Sequence, residues 1–153
     1  RRHGRGEGDR YLSFIAGTLK PRIDRRFRTK RGREHTAMLG SSMGGLISLY
    51  AFLTQPSVIG AAGAMSPALW YGDRKVFDAI GGVRPRGRVY LDIGTDEGAA
   101  ALRDARYMAE RLESAGFRRG LSLLYDEEPG GRHTEADWSR RLARALSFLF
   151  SGD

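Results

Sequence analysis

One stretch decides the fold of this chain: Arg33-Glu34-His35-Thr36-Ala37-Met38-Leu39-Gly40-Ser41-Ser42-Met43-Gly44-Gly45-Leu46. Its first half reads as a short buried strand from His35 to Gly40. Apolar residues after Ser42 indicate a helix that closes near Gln55-Pro56. The pattern Gly-x-Ser-x-Gly stands where the strand must turn into the helix, which is the setting of the nucleophile elbow in serine hydrolases. We therefore predict an elbow at Gly40 to Gly44.

The register of this elbow follows from its glycines. A strand and a helix that meet at one residue need small neighbours, and three glycines supply them: Gly40, Gly44 and Gly45. Only Ser42 has glycine two positions before and two positions after it, whereas Ser41 and Ser66 do not. Ser42 is the predicted nucleophile. The alternative is an ordinary Gly-Ser turn with no chemical role.

A serine hydroxyl needs a base to take its proton, and the usual base is histidine. The chain contains three histidines. His3 lies in a Gly-rich terminus, and His35 starts the strand before the elbow, far from that strand's C-terminal end. His133 follows the last predicted strand in the glycine-rich loop Pro129-Gly130-Gly131-Arg132-His133. Loops beyond the C-terminal ends of parallel strands gather into one site, so we predict His133 as the base.

The third member of such a site is a carboxylate that orients the histidine, in the chain order serine, acid, histidine. Asp96 and Glu97 both follow the predicted strand Val89 to Ile93 and both fit that order. Asp92 lies inside the strand. The spacing alone does not separate Asp96 from Glu97.

The remaining elements alternate along the chain. Further strands are predicted at Ile59 to Ser66 and Leu121 to Tyr125. Further helices are predicted from Tyr11, with Pro21 ending or kinking it, and at Asp73 to Ile80, Ala99 to Ala115 and Glu135 to Phe150. The last helix should bury Trp138, Leu142, Ala145, Leu146 and Leu149. This alternation predicts an α/β fold, a parallel sheet with helices on both faces, in one domain over 11–153 after a loop terminus at 1–10.

Composition bounds the class of protein. The 153 residues are 41% hydrophobic and 29% charged, which is typical of a globular chain. There is no cysteine, which excludes disulfides and thiolate chemistry and fits a cytoplasmic location, and no apolar run approaches the ~18 residues of a membrane span. The net charge of +8 arises in residues 1–35, and no aromatic residues alternate with its arginines. We therefore predict neither a nucleic-acid nor a membrane partner.

Several segments carry a resemblance to a known family. They are Ile23 to Thr29, Arg33 to Leu46, Ser66 to Trp70, Leu91 to Glu97 and Gly130 to His133. Together they resemble the putative esterase family, which includes esterase D, the enterochelin esterases, bacterial feruloyl esterases and the mycolyltransferases. The resemblance implies an α/β-hydrolase fold that hydrolyses carboxylic esters without a metal or cofactor. In feruloyl esterase relatives the acid ends a Gly-Thr-x-Asp loop, which favours Glu97 here, with Asp96 as the alternative.

The chain departs from this family at its N-terminal side, where members carry the first strands of the sheet. We therefore expect a C-terminal fragment of the full fold. The backbone N–H of Met43 would supply one donor of the oxyanion hole, and the second would come from a loop that is absent. The strand before Ser42 would form an exposed apolar sheet edge, through which the chain could form a homo-oligomer.

Two tryptophans are candidates for a substrate pocket. Trp70 follows the second strand and is predicted to contact substrate, whereas Trp138, five residues after His133, is more readily a core residue. The leading functional hypothesis is a hydrolase that cleaves small carboxylic esters through an acyl-enzyme on Ser42. The alternatives are an acyltransferase with the same residues and a non-catalytic esterase-like remnant that binds a partner.

Overall fold

A computed structural model describes residues 6–82 and 86–150. The strands are β1 (Ala37–Ser41), β2 (Ala61–Met65), β3 (Arg88–Gly94) and β4 (Leu123–Glu128). The α-helices are α1 (Gly8–Phe14), α2 (Lys20–Arg26), α3 (Met43–Thr54), α4 (Ala99–Ser114) and α5 (Glu135–Phe150). A π-helical turn (Ile15–Leu19) joins α1 to α2, and 3₁₀ turns occur at Arg33–His35, Tyr71–Ile80 and Thr95–Glu97.

The four strands form one parallel sheet in the order β1-β2-β3-β4. Helices α3 and α4 pack on one face, where Leu49 and Met108 are fully buried, and α5 packs on the other, where Ala145 meets Tyr90. The predicted parallel sheet with helices on both faces is confirmed. All C-terminal strand ends therefore lie at one edge of the sheet, which is where a site is expected in such folds.

Strand β2 is built from small residues because both of its faces are covered. All five of its residues are buried, and they read Ala-Ala-Gly-Ala-Met. Ala62 and Ala64 face the α3 side, whereas Ala61 and Met65 face α5. A methyl group on Gly63 would stand 2.6 Å from the side chain of Leu39 on the neighbouring strand. Such a strand shows no alternation of apolar and polar residues, as expected for a buried parallel strand.

Ser42 alone joins β1 to α3, in a backbone conformation with φ 55° and ψ −118°. A Cβ on Gly40 would stand 2.7 Å from the carbonyl carbon of Gly44, and one on Gly45 would stand 3.0 Å from the carbonyl oxygen of Met65. These two glycines are required because backbone meets backbone there. A Cβ on Gly44 would meet nothing within 4 Å, so the prediction that Gly44 is needed for the close approach is wrong.

The first helical segment differs from its prediction in two ways. Helix α1 begins at Gly8, so the predicted loop terminus is wrong for its last three residues, and residues 1–5 lie outside those described. The chain also stays helical through Pro21, because this residue stands in the first turn of α2, directly after the π turn, where a missing N–H donor is tolerated. The extra residue of that turn shifts the helical phase, and Tyr11, Leu19 and Ile23 are exposed.

Helix α5 has the predicted bounds, and of its predicted face it buries Ala145 and Leu149. Its buried stripe is Asp137, Arg141, Ala145 and Leu149, four residues apart, whereas Leu142 and Leu146 are exposed. The prediction for these two leucines is therefore wrong. Asp137 and Arg141 occupy the buried stripe because both have polar partners near the strand ends.

Strand β1 is an edge of the sheet, since it pairs only with β2 among the described residues. Its side chains are half-buried and include Met38 and Leu39, which confirms the predicted apolar sheet edge. Of the helices in the described ranges, none combines the length and the apolar character that a membrane crossing requires.

The elbow glycines give a matched pair of substitutions. We expect Gly40→Ala to lower the free energy of unfolding by roughly 1–3 kcal/mol, because the added methyl overlaps the backbone of Gly44. Gly44→Ala should raise it by about 0.4–1 kcal/mol, because it restricts the unfolded chain and enters open space in a helix. Urea denaturation measures both. Equal effects of the two substitutions would contradict the account of the elbow.

Candidate active site

Three loops meet at the C-terminal edge of the sheet, and each brings one polar side chain. The Ser42 Oγ lies 2.9 Å from His133 Nε2, and His133 Nδ1 lies 2.6 Å from Glu97 Oε2. Ser42, Glu97 and His133 come from the turns after β1, β3 and β4. Along the chain, His133 stands 36 residues after Glu97 and 91 residues after Ser42. The structure thus brings together the predicted nucleophile, base and one of the two candidate acids.

Glu97, and not Asp96, contacts the imidazole. The Glu97 side chain is 2% exposed, whereas Asp96 is exposed and uses its backbone N–H to donate to the carbonyl of Gly131 at 2.9 Å. His35 lies before the N-terminal end of β1, away from this edge, and its Nε2 is 3.7 Å from Glu34 Oε1. His3 lies outside the described residues.

The acid loop and the histidine loop are joined by close backbone contact. A Cβ on Gly94 would overlap the carbonyl oxygen of Gly131, so the two loops can touch only because residue 94 is glycine, and one on Gly131 would stand 3.0 Å from the Gly94 Cα. The Gly130 N–H donates to Thr95 Oγ1 at 2.8 Å and adds a second link beside that of Asp96. These contacts fix the loop after β3 against the loop after β4.

The backbone next to His133 is held by the start of α5. Thr134 Oγ1 accepts the N–H of Asp137 at 3.2 Å, and Asp137 Oδ2 accepts the Thr134 hydroxyl at 2.9 Å and the Arg132 N–H at 3.2 Å. This is a helix cap that satisfies free N–H groups of the first turn. The ring of Trp138 meets the imidazole edge to face, with 4.8 Å between centroids. The imidazole is therefore fixed from two sides.

The hydrogen-bond roles follow from the chemistry of the groups. A carboxylate accepts only, so His133 Nδ1–H donates to Glu97 Oε2, and the lone pair of Nε2 is left to accept the Ser42 hydroxyl. Glu97 Oε1 also accepts the Gly94 N–H at 2.9 Å and the Ser66 hydroxyl at 2.5 Å. This arrangement can remove a proton from Ser42 and stabilise the imidazolium that results.

A buried polar cluster behind Glu97 was missed from sequence. Ser66 Oγ accepts Trp138 Nε1–H at 3.0 Å and Arg141 Nη2–H at 2.9 Å. Arg141 Nε lies 3.3 Å from Asp92 Oδ2, and both side chains are almost fully buried. The sequence does show Asp92 inside an apolar strand and Arg141 four residues after Asp137 in α5. Neither position indicates which side chain the charged group contacts.

Asp92 is the acceptor at the base of this cluster. It takes the Tyr90 hydroxyl at 2.8 Å and the Ser66 N–H at 3.1 Å. Burial raises the pKa of the Asp92 carboxyl, while the Arg141 guanidinium and these two hydrogen bonds oppose that shift. Burial and the neighbouring Asp92 likewise raise the pKa of the Tyr90 hydroxyl, which keeps it a donor.

A cleft and an exposed tryptophan lie beside the start of α3, next to Ser42. Met43 is the first residue of α3, so its N–H has no partner within the helix and points along the positive end of the helix dipole. A cleft of about 780 Å³ runs beside Met43 and Tyr71. The predicted substrate residue Trp70 is 54% exposed and packs edge to face on Tyr71, with 6.0 Å between centroids. Within the described ranges no group of three metal-ligating side chains gathers here or elsewhere.

Comparison with known proteins gives a consistent result. The family model described as "Putative esterase" matches residues 2–149. An uncharacterized protein of Bacillus subtilis is 30% identical over 95% of the chain and 61% of its own length. A siderophore enterobactin esterase of Emericella nidulans is 34% identical over 46% of the chain and 23% of its own length. The chain thus spans 61% of the length of the first relative and 23% of that of the second, less than two thirds in both cases.

A solved structure supports the fold. The crystal structure of the enterobactin esterase from Shigella flexneri matches with a TM-score of 0.79 and 21% identity, over 92% of this chain and 38% of that one. With the parallel sheet and its flanking helices, this likeness confirms the predicted α/β-hydrolase fold.

The adjacent carboxylates allow a matched test of the site. We expect Glu97→Gln to lower the rate at which a fluorophosphonate labels Ser42 by roughly 100-fold or more, because an amide no longer fixes the imidazole tautomer. Asp96→Asn removes the same charge one residue away and should leave the rate within about two-fold, since its side chain is exposed. The reverse ranking would show that Asp96 is the acid.

Proposed function

The chain belongs to the esterase family, and on that premise we propose that it hydrolyses carboxylic esters through an acyl-enzyme on Ser42. The observation that carries this proposal is the hydrogen-bonded series from Ser42 through His133 to Glu97. It lies at the strained turn between β1 and α3, where the serine hydroxyl is presented at the sheet edge.

The first half of the reaction forms the acyl-enzyme. Ser42 Oγ attacks the ester carbonyl carbon while His133 Nε2 takes its proton, and the carbonyl oxygen becomes an oxyanion that the Met43 N–H stabilises. Glu97 holds the charged imidazole in place. The bond to the alcohol oxygen then breaks, His133 returns the proton to that oxygen, and the alcohol leaves with the acyl group on Ser42.

The second half repeats these roles with water. His133 Nε2 takes a proton from a water molecule, whose oxygen attacks the acyl carbon. When the new tetrahedral species collapses, the bond to Ser42 Oγ breaks, His133 returns the proton to Ser42, and the carboxylic acid leaves. His133 is 46% exposed, which supports hydrolysis over acyl transfer because water reaches the base directly.

Among carboxylic esters, we place siderophore esters first. The Emericella relative is named as a siderophore enterobactin esterase, and its aligned segment covers 46% of this chain. We propose Trp70 as a contact for the substrate, because its exposed ring follows β2 at the same sheet edge as Ser42. Its flat apolar face suits an aromatic acyl group.

Covalent labelling tests the nucleophile and base. We expect a fluorophosphonate probe to label the protein on Ser42 only, with no labelling after Ser42→Ala and a rate about 10²–10⁴-fold lower after His133→Ala. Ser41→Ala is the matched control, because it changes the adjacent serine and should leave the labelling rate unchanged. Release of 4-nitrophenol from short-chain esters and hydrolysis of enterobactin should follow the same ranking.

A folded protein that is not labelled would contradict the enzyme proposal and favour the non-catalytic binding alternative. Labelling of Ser42 with no hydrolysis, but with ester formation when a second alcohol is added, would favour the acyltransferase. Hydrolysis of 4-nitrophenyl esters without hydrolysis of enterobactin would leave the esterase in place and reject the siderophore substrate.

A further inference from the structure

We propose that Arg141 is a positioning residue of this site, which acts through the Ser66 hydroxyl to fix the carboxylate of Glu97. The proposal rests on the proposed function, because it assigns a role in the same reaction. Arg141 lies on the buried face of α5, and its side chain is 3% exposed. Within the described part of the chain Arg141 makes no hydrogen bond or ion pair with Ser42 or His133, so its influence on them must pass through other groups.

The direction of every hydrogen bond in this cluster is forced. The indole N–H of Trp138 and the guanidinium of Arg141 can only donate, and both donate to Ser66 Oγ. A hydroxyl has two acceptor positions and one hydrogen, so its acceptor positions are filled. Its single hydrogen is left for Glu97 Oε1, at 2.5 Å. The two donors therefore set the orientation of the Ser66 hydroxyl.

As a result, the two carboxylate oxygens of Glu97 have different partners. Oε1 is held by the Ser66 hydroxyl and the Gly94 N–H, while Oε2 faces His133 Nδ1. A carboxylate with one oxygen fixed in this way cannot rotate about its last bond without breaking two hydrogen bonds. The imidazole is then kept in the tautomer that accepts the proton of Ser42.

Arg141 is itself held on the opposite side. Its Nε lies 3.3 Å from Asp92 Oδ2, and its Nη2 lies 3.8 Å from Glu97 Oε1. Nε and Nη1 donate no hydrogen bond within the described part of the chain. A buried ion pair of this kind often stabilises a fold no more than two apolar side chains of the same volume would. The pair of Arg141 with Asp92 therefore points to a role in positioning rather than in stability.

Ser66 is fixed in its backbone as well. It has φ 43°, a left-handed conformation that is unfavourable for a residue other than glycine. Its N–H is shared between the carbonyl oxygen and Oδ1 of Asp92, at 3.0 and 3.1 Å. Asp92 therefore anchors both Ser66 and Arg141, and the cluster forms one rigid support behind the acid.

The first test removes the hydroxyl but leaves the ion pair between Arg141 and Asp92. We expect Ser66→Ala to lower kcat for 4-nitrophenyl ester hydrolysis by roughly 10- to 100-fold with little change in KM, because positioning is lost and substrate contacts are kept. Arg141→Lys keeps the charge and should retain part of the activity. Arg144→Met is the matched control on the exposed side of the same helix, and it should leave kcat unchanged.

A double-mutant comparison separates positioning from stability. If Arg141 acts through Glu97, the pair Asp92→Asn with Arg141→Met should lower kcat in the wild-type background but not after Glu97→Gln. The paired substitution avoids leaving one buried charge alone. Equal losses in both backgrounds, or an unchanged kcat in the folded Ser66→Ala variant, would overturn the proposal.

A spectroscopic measurement keeps the proposal testable if no ester is hydrolysed. The Nδ1 proton of His133, hydrogen-bonded to Glu97, should give a low-field proton resonance in the wild-type protein. We expect it to be lost or shifted upfield in Ser66→Ala and unchanged in Arg144→Met. If the fluorophosphonate probe does not label the wild-type protein but the resonance changes only in Ser66→Ala, the esterase proposal alone is rejected. If the probe labels Ser42 and the resonance is unchanged in Ser66→Ala, the positioning role alone is rejected.

Discussion

The backbone turn at Ser42 is the constraint on which the rest of the structure depends. A serine with φ 55° is unfavourable by itself and persists only where its surroundings impose it. Here its N–H donates to Met65 on the neighbouring strand, and its carbonyl accepts the N–H groups of Leu46 and Ala68. The close backbone contact between Gly40 and Gly44 further restricts the conformation of the turn between them. These contacts therefore hold the hydroxyl at the C-terminal edge of the sheet against the backbone strain.

A second strained serine lies at the end of the adjacent strand. Ser66 follows β2 as Ser42 follows β1, and both have positive φ. The two have different surroundings: Ser42 faces the imidazole at the open side, whereas Ser66 is buried behind the acid. Two neighbouring strand ends thus carry the proposed nucleophile, Ser42, and a support for the proposed acid, Glu97. Loops of this kind gain their rigidity from the sheet below them.

Sequence reasoning recovered the parts of the site that are local or scarce. Ser42 follows from its flanking glycines, and His133 follows because few histidines exist and only one stands after the last strand. The choice between Asp96 and Glu97 needed the structure, since neighbouring residues in a tight turn point in different directions. Arg141 was out of reach because periodicity locates a buried face but does not name the group across it. The sheet was predictable because a chain in which strands and helices alternate can form few arrangements other than a parallel sheet covered by helices.

The most direct test of the central claim is mass spectrometry of the protein after a brief reaction with 4-nitrophenyl acetate and an acid quench. The account predicts a transient gain of one acetyl group on the peptide that contains Ser42. The adduct should be absent in Ser42→Ala and should persist longer in Ser66→Ala, where the base is less well placed to activate water. Turnover of the ester with no acetyl group on Ser42, or with the group on another residue, would contradict the account.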